Sequence, residues 1–262
     1  LIPTDYVATT GTTVVLDTGA AVNDTVQMVV YDVFSVGDSV SQSAGGNFAG
    51  NIGMGGTLAV TGDVTIGDAS AADKKILFDG NAQDFHIGLD DSTDSLTIGK
   101  GSTLGTTTSM AIDANGIITK PLQPAFWVRP ASEQSNLALN STITVLWGTE
   151  TYDQNADFAS NTFTAPVTGK YFMHARVTVQ SIDSAASYYN VNLATSNATH
   201  QLFFDPRGFD ADTNMYPFNV TAVADMDAGD TATITIKQPN GTAQTDILET
   251  GTYSSWYGYL LG

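Results

Sequence analysis

Short apolar stretches that alternate with polar residues and end at glycine or aspartate recur along the whole chain. Two examples are residues 75–79 (KILFD) and residues 96–99 (LTIG). Alternation over four or five residues is typical of β-strands, and no stretch has a helical period of useful length. Charged residues make up only 14% of the chain, so its polar surface has to come from residues that suit strands and turns. The sequence therefore predicts an all-β protein.

The charge of the chain excludes several classes of partner. Twenty-seven acidic and nine basic residues give a net charge of −18. So few cations cannot neutralise a phosphate backbone, and an anionic membrane surface would repel the chain. Cysteine is absent, which excludes disulfides and thiolate metal sites. No apolar run reaches the roughly 18 residues that a membrane span needs, so we expect neither nucleic-acid binding nor membrane insertion.

The sequence has three zones that differ in residue composition and apolar pattern, and these zones predict three structural parts. The pattern of residues 1–36 predicts a small strand-rich β module. Short apolar segments lie at 14–16 and 26–31, and turns are predicted at 17–19 and 23–24. Residues 37–120 begin with a linker rich in serine and glycine at 39–56 and continue as short strands. Residues 121–262 are richer in aromatic residues and have longer strands.

The middle zone, residues 37–120, has too little bulk for a core of its own. Its apolar residues lie at period two, as at Leu58, Val60, Val64 and Ile66. Strands this short, each followed by a tight turn, cannot build a thick globular core from a single chain. The pattern predicts an elongated β stalk in which three chains supply each other's missing apolar face.

The last zone is predicted to be a sandwich or jelly roll, because many strands follow one another with turn signals between them. The predicted strands lie near residues 125–129, 143–148, 162–164, 169–180, 187–195, 200–204, 215–224, 231–238 and 252–261.

Four landmarks in this zone, in family order, resemble the C1q/TNF-type head. Residues 124–128 (PAFWV) resemble its first strand, and residues 161–172 (NTFTAPVTGKYF) resemble its signature, with Met173 in place of a closing phenylalanine. Residues 228–230 resemble a late Gly-Asp turn, and residues 253–261 resemble the closing strand, with Trp256 replacing phenylalanine. The resemblance implies a C1q-like jelly roll and a homotrimer with aromatic residues along its three-fold axis. Candidates for that axis, each with ordinary core packing as the alternative, are Phe172, Tyr257 and Tyr259.

The first two zones resemble modules of phage tail and head fibres, at residues 12–26 and 75–90. Together with the head, this resemblance implies a structural and adhesive viral fibre protein located in the virion. Its expected partners are further copies of itself, other virion proteins at the N-terminal end, and a host-surface glycan or protein; capping the fibre is the other role for the head. Alternatives are a secreted bacterial C1q-like carbohydrate-binding protein and a fibre-borne polysaccharide-degrading enzyme. No nucleophile elbow is present, and a depolymerase would need paired carboxylates on a broad β-helix for which this chain is too short, so we expect no catalysis.

One acidic loop in the head is the best candidate for recognition. Asp210, Asp212 and Asn214 alternate oxygen ligands as calcium loops do, although the glycine and glutamate of an EF-hand are missing. We expect no resident cofactor, and calcium at this loop is the alternative. Arg207, Phe209 and Tyr216 offer charge and stacking surface nearby, which makes them receptor-binding candidates. The alternative is an ordinary solvated connection.

Overall fold

The computed structural model describes residues 6–7, 13–25, 27, 50–249 and 252–262. The chain divides into two units, residues 1–63 and residues 64–262, and each is described by itself. Throughout the described ranges the regular structure is β-strand, apart from one short 3₁₀ helix, so the predicted all-β class is confirmed. None of the described residues belongs to a helix long and apolar enough to cross a membrane.

The first unit contains one small hairpin. β1 (Tyr6–Val7) pairs with β2 (Val15–Leu16) in antiparallel register. The predicted turn at 23–24 is present: the Asp24 carboxylate accepts a hydrogen bond from the Ala21 N–H at 2.7 Å. The predicted strand at 26–31 lies outside the described residues except for Gln27, and so does most of the linker at 39–56.

In the single chain, the segment around Leu58, Val60, Val64 and Ile66 is not in a strand, and the three-chain stalk expected there stays a prediction. All residues from 50 to 73 are described, and none of them belongs to a strand. Gly62 and Asp63 interrupt the apolar alternation, and a strand needs a hydrogen-bonded neighbour, which no described residue of this chain provides.

Residues 74–119 form an antiparallel five-stranded sheet, here called the meander sheet. Its strands lie side by side in chain order, so each pairs with its sequence neighbours. They are β3 (Lys74–Phe78), β4 (Phe85–Asp90), β5 (Ser95–Lys100), β6 (Thr108–Ile112) and β7 (Ile118–Thr119).

The front sheet of the head has the order β10-β8-β19-β13-β16, with β18 also pairing with β13. Its longest strands are the neighbours β13 and β16, with 14 residues each. The strands are β8 (Ala125–Arg129), β10 (Thr149–Asp153), β13 (Gly169–Ile182), β16 (Thr213–Met226), β18 (Asp246–Ile247) and β19 (Ser255–Leu260).

The back sheet has the order β11-β12-β17-β14-β15, with β9 also pairing with β17. Its strands are β9 (Thr142–Thr144), β11 (Phe158–Ala159), β12 (Thr162–Thr164), β14 (Tyr189–Thr195), β15 (Thr199–Phe204) and β17 (Thr231–Lys237). The 3₁₀ helix Pro206–Gly208 follows β15.

The strand order of the head is that of a jelly roll. Its eight principal strands, in chain order, are β8, β12, β13, β14, β15, β16, β17 and β19. The front sheet takes the first, eighth, third and sixth of them, and the back sheet takes the second, seventh, fourth and fifth. This alternation between two packed sheets is the double Greek key that the sequence predicted.

An aromatic cluster fills the space between the sheets. The ring of Phe126 lies 4.8 Å from that of Phe163, 5.3 Å from that of Phe158 and 5.1 Å from that of Trp256. Met173 is fully buried, so the residue that replaces the phenylalanine of the head signature packs in the core. A Cβ atom at position 258 would lie 2.9 Å from the Phe126 ring, so this close approach requires Gly258.

Three strands of the head were not predicted: β10, β11 and β18. Residues 149–153 (TETYD) carry too little apolar character to be recognised as a strand, and a register shift interrupts their pairing with β8. The other two strands contain only two residues each. The strand predicted at 143–148 is shorter than expected, because only residues 142–144 pair with β17.

Replacing Phe126 with alanine should destabilise the head by about 3–5 kcal/mol, because the ring is fully buried among three aromatic neighbours. Denaturant unfolding followed by tryptophan fluorescence would measure the change. Phe203→Ala is the matched control, since that ring is 60% exposed and its loss should cost less than about 1 kcal/mol. Equal losses in the two variants would contradict the assignment of Phe126 to the core.

Candidate functional site

The outer surface of the front sheet, here called the front face, carries two rows of side chains that run across its strands. In the first row Tyr257 pairs with Trp127 on one side and with His174 on the other, and Tyr152 pairs with Trp127 beyond them. In the second row Tyr259 pairs with Ala125 and Phe172, and Phe172 pairs with Val223. Residues paired across strands point to the same face, so both rows lie on one surface.

All three trimer-axis candidates lie on this front face. The ring of Phe172 is 5.3 Å from that of Tyr259 and 6.5 Å from that of Tyr257. None of the three belongs to the buried core, so the core alternative for them is excluded. Tyr259 is 43% exposed, and the other two are half-buried. The front face therefore exposes a contiguous aromatic surface.

His174 adds a neutral, hydrogen-bonded ring to the same surface. Its Nδ1 atom lies 2.7 Å from the Thr221 hydroxyl, and its ring centroid lies 5.1 Å from that of Tyr257. Burial lowers the pKa of His174 below its ordinary value, and the positive charge of Arg176 lowers it further. The imidazole is therefore uncharged at neutral pH. Burying this surface in an interface then needs no desolvation of a charged ring.

The outer surface of the back sheet, here called the back face, is different in character. Its central row consists of Gln201, Asn192, Thr235 and Thr144, which are paired across four strands. The Asn192 side chain donates a hydrogen bond to the Thr235 hydroxyl at 3.3 Å. The two outer faces of one sandwich thus differ, and only the front face carries the aromatic rows.

The receptor-binding candidate Arg207 lies in the 3₁₀ helix after β15, where it is held by Asp205. Its guanidinium group donates two hydrogen bonds to that carboxylate, at 2.9 and 2.7 Å. The backbone N–H of Arg207 donates a third, at 3.0 Å, so Asp205 also caps the helix. These bonds lower the pKa of Asp205 to about 2. The guanidinium group is therefore oriented before any ligand arrives.

Phe209 and Tyr216, the other two receptor-binding candidates, belong to one aromatic cluster with Phe204. The ring of Phe204 stacks on that of Tyr216 at 4.3 Å and lies 5.7 Å from that of Phe209. The ring of Tyr216 also contacts that of Phe218, which is part of the core. Phe209 is 37% exposed, so it forms the outer end of a stack anchored in the sandwich.

The three residues predicted to bind calcium occupy different positions in this loop. Asp212 Oδ1 accepts hydrogen bonds from the backbone N–H and the hydroxyl of Ser184, both at 2.8 Å. Asn214 lies in β16, and Asp210 precedes that strand in the exposed loop. Within the described ranges no group of three His, Cys, Asp or Glu side chains is arranged to hold a metal ion. Calcium binding through the mixed Asp and Asn set stays a prediction.

Trp127 and Tyr152 on the front face were not predicted as members of the surface with Phe172, Tyr257 and Tyr259. Their rings lie 6.3 Å apart. Trp127 alternates with the core residues Phe126 and Val128 in β8, and this alternation was the available signal. Tyr152 lies in β10, which was not recognised as a strand.

No protein-family model and no curated protein matches this sequence. Among solved structures, the globular domain of zebrafish complement 1qA protein is 20% identical, with a TM-score of 0.39 over 53% of this chain and 98% of that one. Murine APRIL in crystals at pH 8.5 is 13% identical, with a TM-score of 0.36 over 53% of this chain and 99% of that one. The jelly roll of the present chain is established by its own strand order.

Replacing Arg207 with glutamine should raise the pKa of Asp205 from about 2 toward its ordinary value of roughly 3.9, because the two guanidinium hydrogen bonds are lost. A pH titration of the side-chain carboxyl carbon by NMR would measure the shift. Arg129→Gln, in β8 of the front sheet, is the control and should leave the titration of Asp205 unchanged. An unchanged pKa in the Arg207 variant would mean that the guanidinium group does not hold this carboxylate in solution.

Proposed function

We propose that this chain is a homotrimeric, non-enzymatic structural and adhesive protein of a viral fibre, whose jelly-roll head presents loops to a host surface. The observation that carries the proposal is the aromatic front face, which three copies would cover by packing around one axis.

The front face has the composition of a protein–protein interface. Interface cores are enriched in aromatic residues and depleted of charged ones, and the two rows follow this pattern. They contain Tyr152, Trp127, Tyr257, Tyr259 and Phe172, together with an uncharged His174. An acidic chain of net charge −18 would repel its own copies over most of its surface, so the two aromatic rows, which contain no charged residue, are where copies can meet.

The trimer is the assembly that the head landmarks imply. The sequence resemblance to C1q/TNF-type heads rests on residues 124–128, 161–172, 228–230 and 253–261. Of those landmarks, Phe172, Tyr257 and Tyr259 contribute directly to the front face. In a trimer these aromatic surfaces would be covered, and the loops between strands would remain free for recognition.

The loop around Arg207 and Phe209 is suited to contact a glycan. A guanidinium group fixed by Asp205 offers hydrogen-bond donors, and the exposed ring of Phe209 offers a surface on which a sugar can stack. Three copies of the loop would act together, since a second contact of one trimer forms at high effective concentration. Contacts that are weak individually would then suffice for adhesion.

The viral fibre setting is supported by the sequence resemblance at residues 12–26 and 75–90. Virion proteins would bind at the N-terminal end, and the head would lie at the distal end. The hydrogen bonds near the loop support binding rather than catalysis. Asp212 holds Ser184 and Asp205 holds Arg207, so these polar side chains are engaged in structural roles.

Light scattering of the purified chain should report three times 27.5 kDa, about 82 kDa. In this trimer Trp127 should be protected from acrylamide quenching, because it lies within the covered front face. Trp147 and Trp256 are buried in the core. Any acrylamide quenching of the tryptophan fluorescence therefore reports mainly on the accessibility of Trp127.

The double variant Phe172→Asp with Tyr259→Asp should make Trp127 accessible, because six carboxylates cannot be buried at one axis. Gln201→Asp on the exposed back face is the control and should leave quenching unchanged. A parent chain that is a well-folded monomer with an accessible Trp127 would contradict the proposal.

Recognition through the loop predicts that Arg207→Ala with Phe209→Ala lowers binding to an array of bacterial surface polysaccharides by at least about tenfold, if each side chain contributes about 1 kcal/mol or slightly less per site in a multivalent contact. Lys237→Ala with Phe203→Ala is the matched control, since it removes a cation and an exposed ring from the back face. Undiminished binding of the loop variant would exclude this loop. A parent trimer that binds no polysaccharide would count against a glycan receptor.

A further inference from the structure

The meander sheet carries all of its large apolar side chains but Leu77 on one face, and no other described segment covers that face. Ile76, Ile87 and Ile98 are paired across three neighbouring strands, and Met110 continues the row on β6. Phe78 and Phe85 form a second pair, and Leu89, Leu96, Ile112 and Ile118 form a third row. These ten residues are here called the apolar face. Phe78 is 54% exposed and Ile118 is 57% exposed.

The opposite face of the same sheet is polar, yet it is the buried one. His86, Asp90 and Thr97 are buried there, and so is Ser95. The segment from Gly101 to Thr107 covers them: a Cβ atom at Gly105 would lie 2.7 Å from Asp90 Oδ2, and Leu104 is itself buried. An antiparallel sheet normally buries its apolar face and exposes its polar one. In a single chain, the meander sheet therefore exposes its apolar face and buries its polar face, which is an unfavourable arrangement.

The apolar face is large enough for a specific interface. Seven of its residues are each 36–57% exposed. About half of a side chain of roughly 200 Å² in each of seven residues gives about 700 Å² of apolar surface. The largest apolar patch on a typical monomer is about 300–600 Å², whereas each partner in a standard interface buries about 800 Å². The area thus matches what one partner contributes to a stable protein–protein contact.

The charges around the apolar face favour further copies of this chain as its partner. The only charged residues paired into the face are Lys74, opposite Leu89, and Lys100, opposite Phe85. No carboxylate is paired into the face, although the chain carries 27 acidic residues, and Asp68 beside Lys74 is ion-paired with that cation at 3.0 Å. Copies of so acidic a chain can therefore approach one another at this face without bringing carboxylates together. Interfaces between identical subunits are also the more apolar kind, as this face is.

We infer that the apolar face of the meander sheet is a self-association surface, covered in the assembled protein by the same face of the other copies. This inference rests on the proposed homotrimer and extends it, because it adds a second contact region that is independent of the front face of the head. Three such sheets, each turning its apolar face inward, would share one dry interior that none of them can form alone. Ile87 and Ile98, at the middle of the sheet, would lie near the centre of that interior.

Single cysteines introduced into this chain test the inference, since its 262 residues contain none. Ile87 and Leu77 are 36% and 39% exposed, but they lie on opposite faces: Ile87 pairs with Ile76, and Leu77 pairs with His86. In an isolated chain, Ile87→Cys and Leu77→Cys should therefore react with a maleimide at similar rates. In the assembled protein, the Ile87→Cys thiol should react at least about tenfold more slowly. Both thiols should react equally fast in denaturant.

The outcomes separate this inference from the proposed function. Equal labelling rates in a protein of about 82 kDa would overturn the inference and leave the head trimer intact. Protection of the Ile87→Cys thiol in a chain whose mass is 27.5 kDa would mean that other residues of the same chain cover the face, and this would also overturn it. Protection that survives Phe172→Asp with Tyr259→Asp would show that the sheets associate without the front face. Protection that disappears on dilution to the monomer supports the inference as well.

Discussion

β19 pairs with β8 along one edge and with β13 along the other, so it joins the beginning of the head to its middle. Its side chains alternate between the two sides of the front sheet. Trp256 points into the aromatic cluster, whereas Tyr257 and Tyr259 point outward. Gly258 lies between the two tyrosines, where Phe126 leaves no room for a side chain. β19 therefore contributes both to the core and to the aromatic surface. A substitution that shifts this strand affects both.

Period-two alternation predicted most of the strands, because each strand of the head has one face in a thick core. Strands 125–129 and 162–164 have the predicted bounds. Alternation alone did not show which face of β13 or β19 points inward, and so Phe172 and Tyr257 had two interpretations. It also predicted a strand at Leu58–Ile66 within a three-chain stalk, but alternation does not show which strand would pair with it. The receptor-binding candidates were chosen for their nearness in sequence, whereas the ring contacts of Phe209 with Phe204 and Tyr216 depend on packing between β15, the loop and β16.

Low charge density and strong acidity have complementary effects in this chain. Carboxylates on loops and strand ends keep most of the surface hydrated and repel other copies. The aromatic rows of the front face contain no carboxylate, and Asp225, which lies beside them in β16, is ion-paired with Lys170 at 2.6 Å. No carboxylate is paired into the apolar face of the meander sheet. Like-charge repulsion elsewhere therefore restricts where two copies can meet, which gives specificity to contacts that are themselves only hydrophobic. High salt should weaken this restriction, because it screens the repulsion.

The position of β19 has a consequence for synthesis of the protein. Trp127 in β8 pairs with Tyr257, which leaves the ribosome about 130 residues later. At about 5–20 residues per second, β8 waits roughly 7–26 seconds for its neighbour. During that interval the aromatic residues of β8 and β13 are exposed next to an unpaired strand edge, which is the condition under which nascent chains aggregate. Production of the intact head should therefore depend on chaperones that shield this edge until translation passes β19, and slowing translation should increase that dependence.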